Sequence, residues 1–339
     1  MNFERKDITK VKVALLTIIL PIFFNTAVAQ LPYEYATQSY QSGQHTELAY
    51  EGWRVNQEGN TILTFGYFNH NWKEELDISI GENNFFSPGE VDRGQPTHFL
   101  PRRNRFTFDV VVPSDFDEND ELVWEVTSPN GLSRQAYGTL REDYKLDNVV
   151  IMSETGALGA GTSDVRTRAN IPPVLEVIGD RIRAIEVGKP LVVQARVTDD
   201  GVPEPIDPMK EALEDAGAAA IFLTPAILRR EIMMIVPPRP TVNKNNGLFL
   251  SWNVYRAPET EKPVQEIVNF EPQQVKPWED TRPSANSPWS FLWMPPKLPE
   301  DGVITTTVIF DEPGTYLLWA RADDGGLYSD TYVTVNVSP

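Results

Sequence analysis

Apolar and polar positions alternate along most of this chain at the period of two that a half-buried strand requires. Residues 61–68 and 76–80 read as strands, joined by the turn-forming Asn69-His70-Asn71-Trp72. An irregular stretch follows at 81–105, carrying Pro88, Pro96 and Pro101. Phe106, Phe108, Val110 and Val112 then share one face, and Leu122, Trp124 and Val126 repeat the pattern before a Ser128-Pro129-Asn130-Gly131 turn. This spacing predicts an antiparallel β-sandwich over residues 47–148, preceded by a lead segment at 30–46. Residues 149–171, small, polar and glycine-containing from Ser153 onward, read as an exposed linker.

A second sandwich is expected over 172–339, with strand signals at 174–178, 182–187, 191–198, 248–255 and 304–310. It closes with a hairpin in which Tyr316, Leu318 and Ala320 alternate with Leu317, Trp319 and Arg321 before a tight Asp323-Asp324-Gly325-Gly326 turn. Two stretches interrupt it. Within 202–246, Asp207-Pro208 and Thr224-Pro225 are helix-start signals. The run Ile232-Met233-Met234-Ile235-Val236 that ends this insertion is expected to pack on its own sheet. The other interruption, 272–299, is long, proline-rich and aromatic, and loops of that length tend to carry function. The fold class is therefore all-β, with two antiparallel sandwiches, the second holding a short helical insertion.

Gly314-Thr315-Tyr316, Asp323-Asp324-Gly325, Ser329-Asp330-Thr331 and the alternation Val333, Val335, Val337 resemble the last two strands of a PKD-like or bacterial immunoglobulin-like domain. A weaker part of the same resemblance runs from Ile185 to Gly201. The match is good over roughly the last hairpin, weaker upstream, and does not extend to the first sandwich. The resemblance implies an extracytoplasmic binding or spacer module.

The first residues change the compartment. Arg5, Lys6, Lys10 and Lys12 precede an apolar run that ends at Ala27-Val28-Ala29, the pattern of a cleaved signal peptide at 1–29. Pro21 and Asn25 break the run short of the ~20 apolar residues a membrane span needs, so no stable span is expected after cleavage. Export to the periplasm or medium follows. Cleavage removes four basic and two acidic residues from Lys+Arg 30 and Asp+Glu 48, leaving 26 against 46. So acidic a chain is a poor partner for nucleic acid or an anionic membrane. With no cysteine, disulfides and thiolate metal sites are excluded, and the fold must stand on its packed core.

Catalytic motifs are scarce. His45, His70 and His98 lack HExxH or H-x-x-H spacing, no G-x-S-x-G elbow occurs, and Gly156–Gly161 lacks the ending of a phosphate loop. No cofactor is expected, apart from calcium, whose hard oxygen ligands Asp199, Asp200, Asp323 and Asp324 could supply from two similar strand ends. Binding is the leading reading. His70, Trp72 and His98 with Arg102 and Arg103 form one candidate surface, and Trp278, Trp289 and Trp293 another, for a protein or glycan partner in the cell envelope. Two alternatives use the same residues: a polysaccharide hydrolase with a carboxylate pair, and a structural spacer or accessory subunit of an envelope complex.

Overall fold

The computed structural model describes residues 40–158, 164–235, 243–278 and 291–339. The signal-peptide stretch and Trp289 lie outside the described residues. The first sandwich contains β1 (Thr46–Val55), β2 (Thr61–Asn69), β3 (Leu76–Asp77), β4 (Asn84–Ser87), β5 (His98–Phe99), β6 (Arg102–Val111), β7 (Leu122–Thr127) and β8 (Ser133–Gly138). Its two main sheets run β1-β2-β6 and β4-β7-β8, all antiparallel, with β3 and β5 as a short separate pair. Asn56 sets the first hairpin, because its side-chain oxygen accepts from the amides of Glu58 and Asn60. Between the sheets Phe65, Phe86, Phe108 and Trp124 pack as a buried aromatic cluster, with Trp124 edge-on to Phe108 at 5.0 Å. The indole nitrogen of Trp124 donates to Asn84 at 3.0 Å, so the buried polar atom is satisfied.

The second sandwich contains β9 (Val174–Ile178), β10 (Ile182–Glu186), β11 (Leu191–Thr198), β12 (Phe249–Arg256), β13 (Val268–Glu271), β14 (Val303–Phe310), β15 (Gly314–Asp323) and β16 (Tyr328–Ser338). One sheet runs β9-β11-β14-β13 and the other β10-β16-β15-β12. Every ladder is antiparallel except β10 with β16, which is parallel. The opening strand is thus divided, one half on each sheet, which makes the arrangement immunoglobulin-like. Near the start of β15 the hydroxyl of the fully buried Tyr316 donates to the Glu312 carbonyl at 3.0 Å, the tyrosine corner of such sandwiches. Trp252, Phe310, Leu318 and Val335 fill the core.

Alternation along β15 explains how the sandwiches meet. Tyr316, Leu318, Ala320 and Ala322 enter the strand's own core, while Trp319 and Leu317 on the other face join the core of the first sandwich, together with Tyr255 and Tyr332. Polar contacts line the same seam. Thr97 donates its amide to the Tyr255 carbonyl, Tyr255 its hydroxyl to Gly94, and Arg256 holds Asp92 through two contacts of 2.7 and 2.9 Å. Residues 40–339 accordingly form one compact unit.

The stretch expected as an exposed linker does not behave as one. Its first part is a helix, α1 (Asn148–Thr155), N-capped by Asp147 and closed by Gly156 at φ 82°. Ile151 and Met152 are buried in a third cluster with Phe106 of the first sandwich and Trp278 and Leu327 of the second. The polar composition from Ser153 onward hid the apolar turn just before it. A one-turn helix, α2 (Val165–Arg168), follows.

Candidate binding surfaces

In the insertion, α3 (Pro208–Ala216) and α4 (Pro225–Met234) start where Asp207 and Thr224 cap them. The Asp207 carboxylate accepts from Met209 and Lys210, and Thr224 from Ile227. The apolar run at the end of α4 was expected to pack on its own sheet. Among its described residues none is buried: Ile232, Met233 and Ile235 are half-buried, Met234 is 64% exposed, and Val236 lies outside the described residues. In α3 only Ala212 is buried. Ile221 and Phe222, between the helices, are 81% and 73% exposed. Each helix is too short to be stable alone, so the apolar side chains present a surface that its own fold leaves largely open.

The insertion is anchored where three connections converge. Lys244 pairs with Trp293 in an isolated bridge, the Asn245 amide donates to the Trp293 carbonyl at 2.8 Å, and the Gly247 amide donates to Asp324 at 2.7 Å. Trp293 itself is 8% exposed, packed edge-on to Phe249 at 4.9 Å and beside the Lys244 ammonium at 5.1 Å. Trp278 is 2% exposed and lies against Phe106, Tyr328 and the Arg321 guanidinium. Of the three tryptophans named for this surface, Trp289 is outside the described residues, and Trp278 and Trp293 are therefore core residues. A long loop of mixed composition concealed that they seal the ends of the sandwich.

The first-domain candidates separate into two groups. His98 is buried between Asp77 and Glu75, at 2.7 Å from each ring nitrogen. Burial opposes the imidazolium, yet the two carboxylates outweigh it and raise His98 to about 10. Asp77 also accepts from the Val264 amide, so this group braces the seam between sandwiches. Arg103 is turned inward, donating to the buried carboxylate of Glu51 at 2.8 Å. Expected on a binding surface, it is paired with a carboxylate that the chain itself supplies from β1.

Arg102, Trp72 and His70 remain together and half-buried. The Arg102 guanidinium lies 4.3 Å from the Trp72 ring centre and 4.6 Å from that of Phe68, and donates to the His70 carbonyl at 3.1 Å. Its backbone is left-handed, φ 60°, uncommon for a residue with a side chain. His70 packs edge-on to Phe68 at 4.6 Å and stacks on His45 at 4.7 Å. His45 Nε2 is 2.9 Å from Glu47 Oε1, and Arg134 Nε donates to the same oxygen at 2.6 Å. His45 and Glu47 were not named as binding residues.

The four aspartates are occupied by their own turns. Asp199 accepts from Gly201 and Asp200 from Val202; Asp323 accepts from Gly325, and Asp324 from Gly326 and Leu327. Asn170 donates to the other oxygen of Asp324 at 3.1 Å. Burial pushes Asp199 up, and it pushes Asp324 up to about 8 despite the amides that favour its ionised form. Among the described residues these four do not gather into a group close enough to share one ion.

No family model matches the chain, and no curated protein matches it significantly. Among solved structures it is similar to a titin M3 domain, at 10% identity over 49% of this chain and 97% of that one, with a TM-score of 0.21. It is similar also to domains 4 and 5 of the S-layer protein SbsC, at 10% identity over 87% and 98%, TM-score 0.19. The Yersinia pseudotuberculosis adhesin InvE aligns at 9% identity over 86% of this chain and 59% of its own, TM-score 0.22. Likeness this slight adds no weight to the strand order, which is what defines the class. The chain is an all-β protein with an immunoglobulin-like sandwich joined side-on to a second sandwich. Among the described residues no helix is long and apolar enough to cross a membrane.

Proposed function

We propose that this is an exported, non-catalytic interaction protein that engages a protein partner through the helical insertion of its immunoglobulin-like sandwich. One observation carries the reading. Apart from Ala212, the two helices bury none of their own side chains, while Met209, Leu213, Ile227 and Met234 on them, and Ile221 and Phe222 between them, stand exposed. An apolar surface with methionines suits an adaptable protein contact. Of the loop tryptophans on which a glycan would stack, Trp278 and Trp293 are buried, which favours the protein partner. The signal-peptide pattern and the absence of cysteine support export without disulfides.

The test is affinity capture from the protein's own cell envelope, using tagged mature protein and a variant carrying Ile221→Ser, Phe222→Ser and Met234→Ser. The expected result is a protein retained by the parent and lost by the variant at equal melting temperature. Equal capture by both, or nothing retained by the parent, would overturn the reading.

A further inference from the structure

At the opposite kind of surface, polar and histidine-bearing, the register of the first hairpin assembles a donor set that nothing in the interaction reading uses. Thr46 pairs with Asn69 and Glu47 with Phe68, and the His70 amide donates to the His45 carbonyl at 3.0 Å. His45 therefore sits directly across from His70. Glu47, two residues further along β1, projects from the same face. One ligand atom from each of the three lies within 4.8 Å of the others, and all three side chains are half-buried.

We propose that His45, Glu47 and His70 bind a divalent transition-metal ion of the zinc class. Two imidazole nitrogens and one carboxylate oxygen are borderline donors, which suit zinc and its neighbours and not calcium. Bonds of ~2.0–2.1 Å in a tetrahedron put donors ~3.3–3.5 Å apart. His45 Nε2 and Glu47 Oε1 stand 2.9 Å apart, closer than two ligands of one ion, so ring and carboxylate must part as the ion enters, and none of the three donors lies more than 4.8 Å from another. Three protein ligands leave a fourth position for water, and the Glu47 side chain, 43% exposed, leaves the outward side open for it.

The surroundings fit an outer shell. Arg134 Nε donates to Glu47 Oε1 at 2.6 Å, which orients the carboxylate and leaves Oε2 to the ion. Arg134 also comes within 3.4 Å of His45 Nε2, and this contact must open for the ring to ligate. Arg102 is the second cation nearby, but its guanidinium lies against the faces of Trp72 and Phe68 and donates to a carbonyl. Stacking on His45 and the edge contact with Phe68 hold the His70 ring beside the other two donors.

Calorimetric titration of the mature protein with zinc chloride in a non-coordinating buffer tests this, with cobalt as a spectroscopic probe. The expected result is one equivalent bound, a zinc-dependent rise in melting temperature, and visible absorption of tetrahedral cobalt. His45→Gln, His70→Gln and Glu47→Gln should each weaken binding by at least about tenfold. Glu47→Gln preserves volume and keeps the test informative should a histidine variant fold poorly. No binding by the parent, or binding that survives Glu47→Gln together with His70→Gln, would overturn the proposal.

Discussion

Arg321 and Asp330 face each other across one rung of the β15–β16 ladder, joined by contacts of 2.7 Å and 2.6 Å. The guanidinium is wholly buried and spends its remaining donors on the carbonyls of Arg105 and Phe106, which belong to the other sandwich. Trp319 donates to the same carboxylate at 2.7 Å. One cross-strand pair thus closes a sheet on one side and a seam on the other.

Removing one partner of such a pair leaves a buried charge uncompensated. Asp330→Asn should lower stability by about 3–5 kcal/mol, whereas Arg321→Met with Asp330→Leu should cost much less, because no lone charge remains. Urea unfolding of the single and double variants checks this. A double variant no better than the single would count against the charge-based account.

His98 supplies a prediction with a defined sign. Its folded value, about 10, lies above its ordinary 6.5, so the charged ring stabilises the fold fully below pH 6.5 and loses that contribution as pH rises toward 10. The stability difference between the parent and His98→Gln should therefore shrink across that window. Equal differences at both ends would remove the imidazolium from the explanation.

Asp324 should act in a lower window. Its carboxyl titrates at about 8 in the fold against an ordinary 3.8, so the neutral form is favoured in the native state. The contribution is complete below 3.8 and is lost as pH rises through 8. Asp324→Asn, which has no proton to lose, should gain on the parent between pH 5 and pH 9 in thermal unfolding. Parallel curves would show that the carboxyl is ionised throughout.

Much of the fold was legible from period-two alternation and turn residues, and the caps of both insertion helices were readable at Asp207 and Thr224. The seam was also written in the chain. Tyr316, Leu318 and Ala320 on one face and Leu317 and Trp319 on the other make β15 apolar on both sides, as a strand buried on both faces must be. The aromatic sites were harder, because composition does not say whether a tryptophan in a long loop points out or down. Trp278 points down, onto Arg321. Folding the chain back about the Asn56–Asn60 turn alone would set His45 opposite Asn71; the bulge between Tyr50 and Gly52 shifts the register by one and brings it opposite His70. Spacing motifs miss the histidine cluster because its ligands come from two strands.

The outer face of β15 is also a wall of the neighbouring core, and that gives the molecule no plane along which it can be divided. The first sandwich takes Trp319 and Tyr255 of the second into its interior, and a third cluster joins Phe106 of the first to Trp278 and Leu327 of the second. Heat should take both apart in a single cooperative step, and an isolated half should be prone to clump through the face it has lost. Inherited damage in either core becomes damage to the whole.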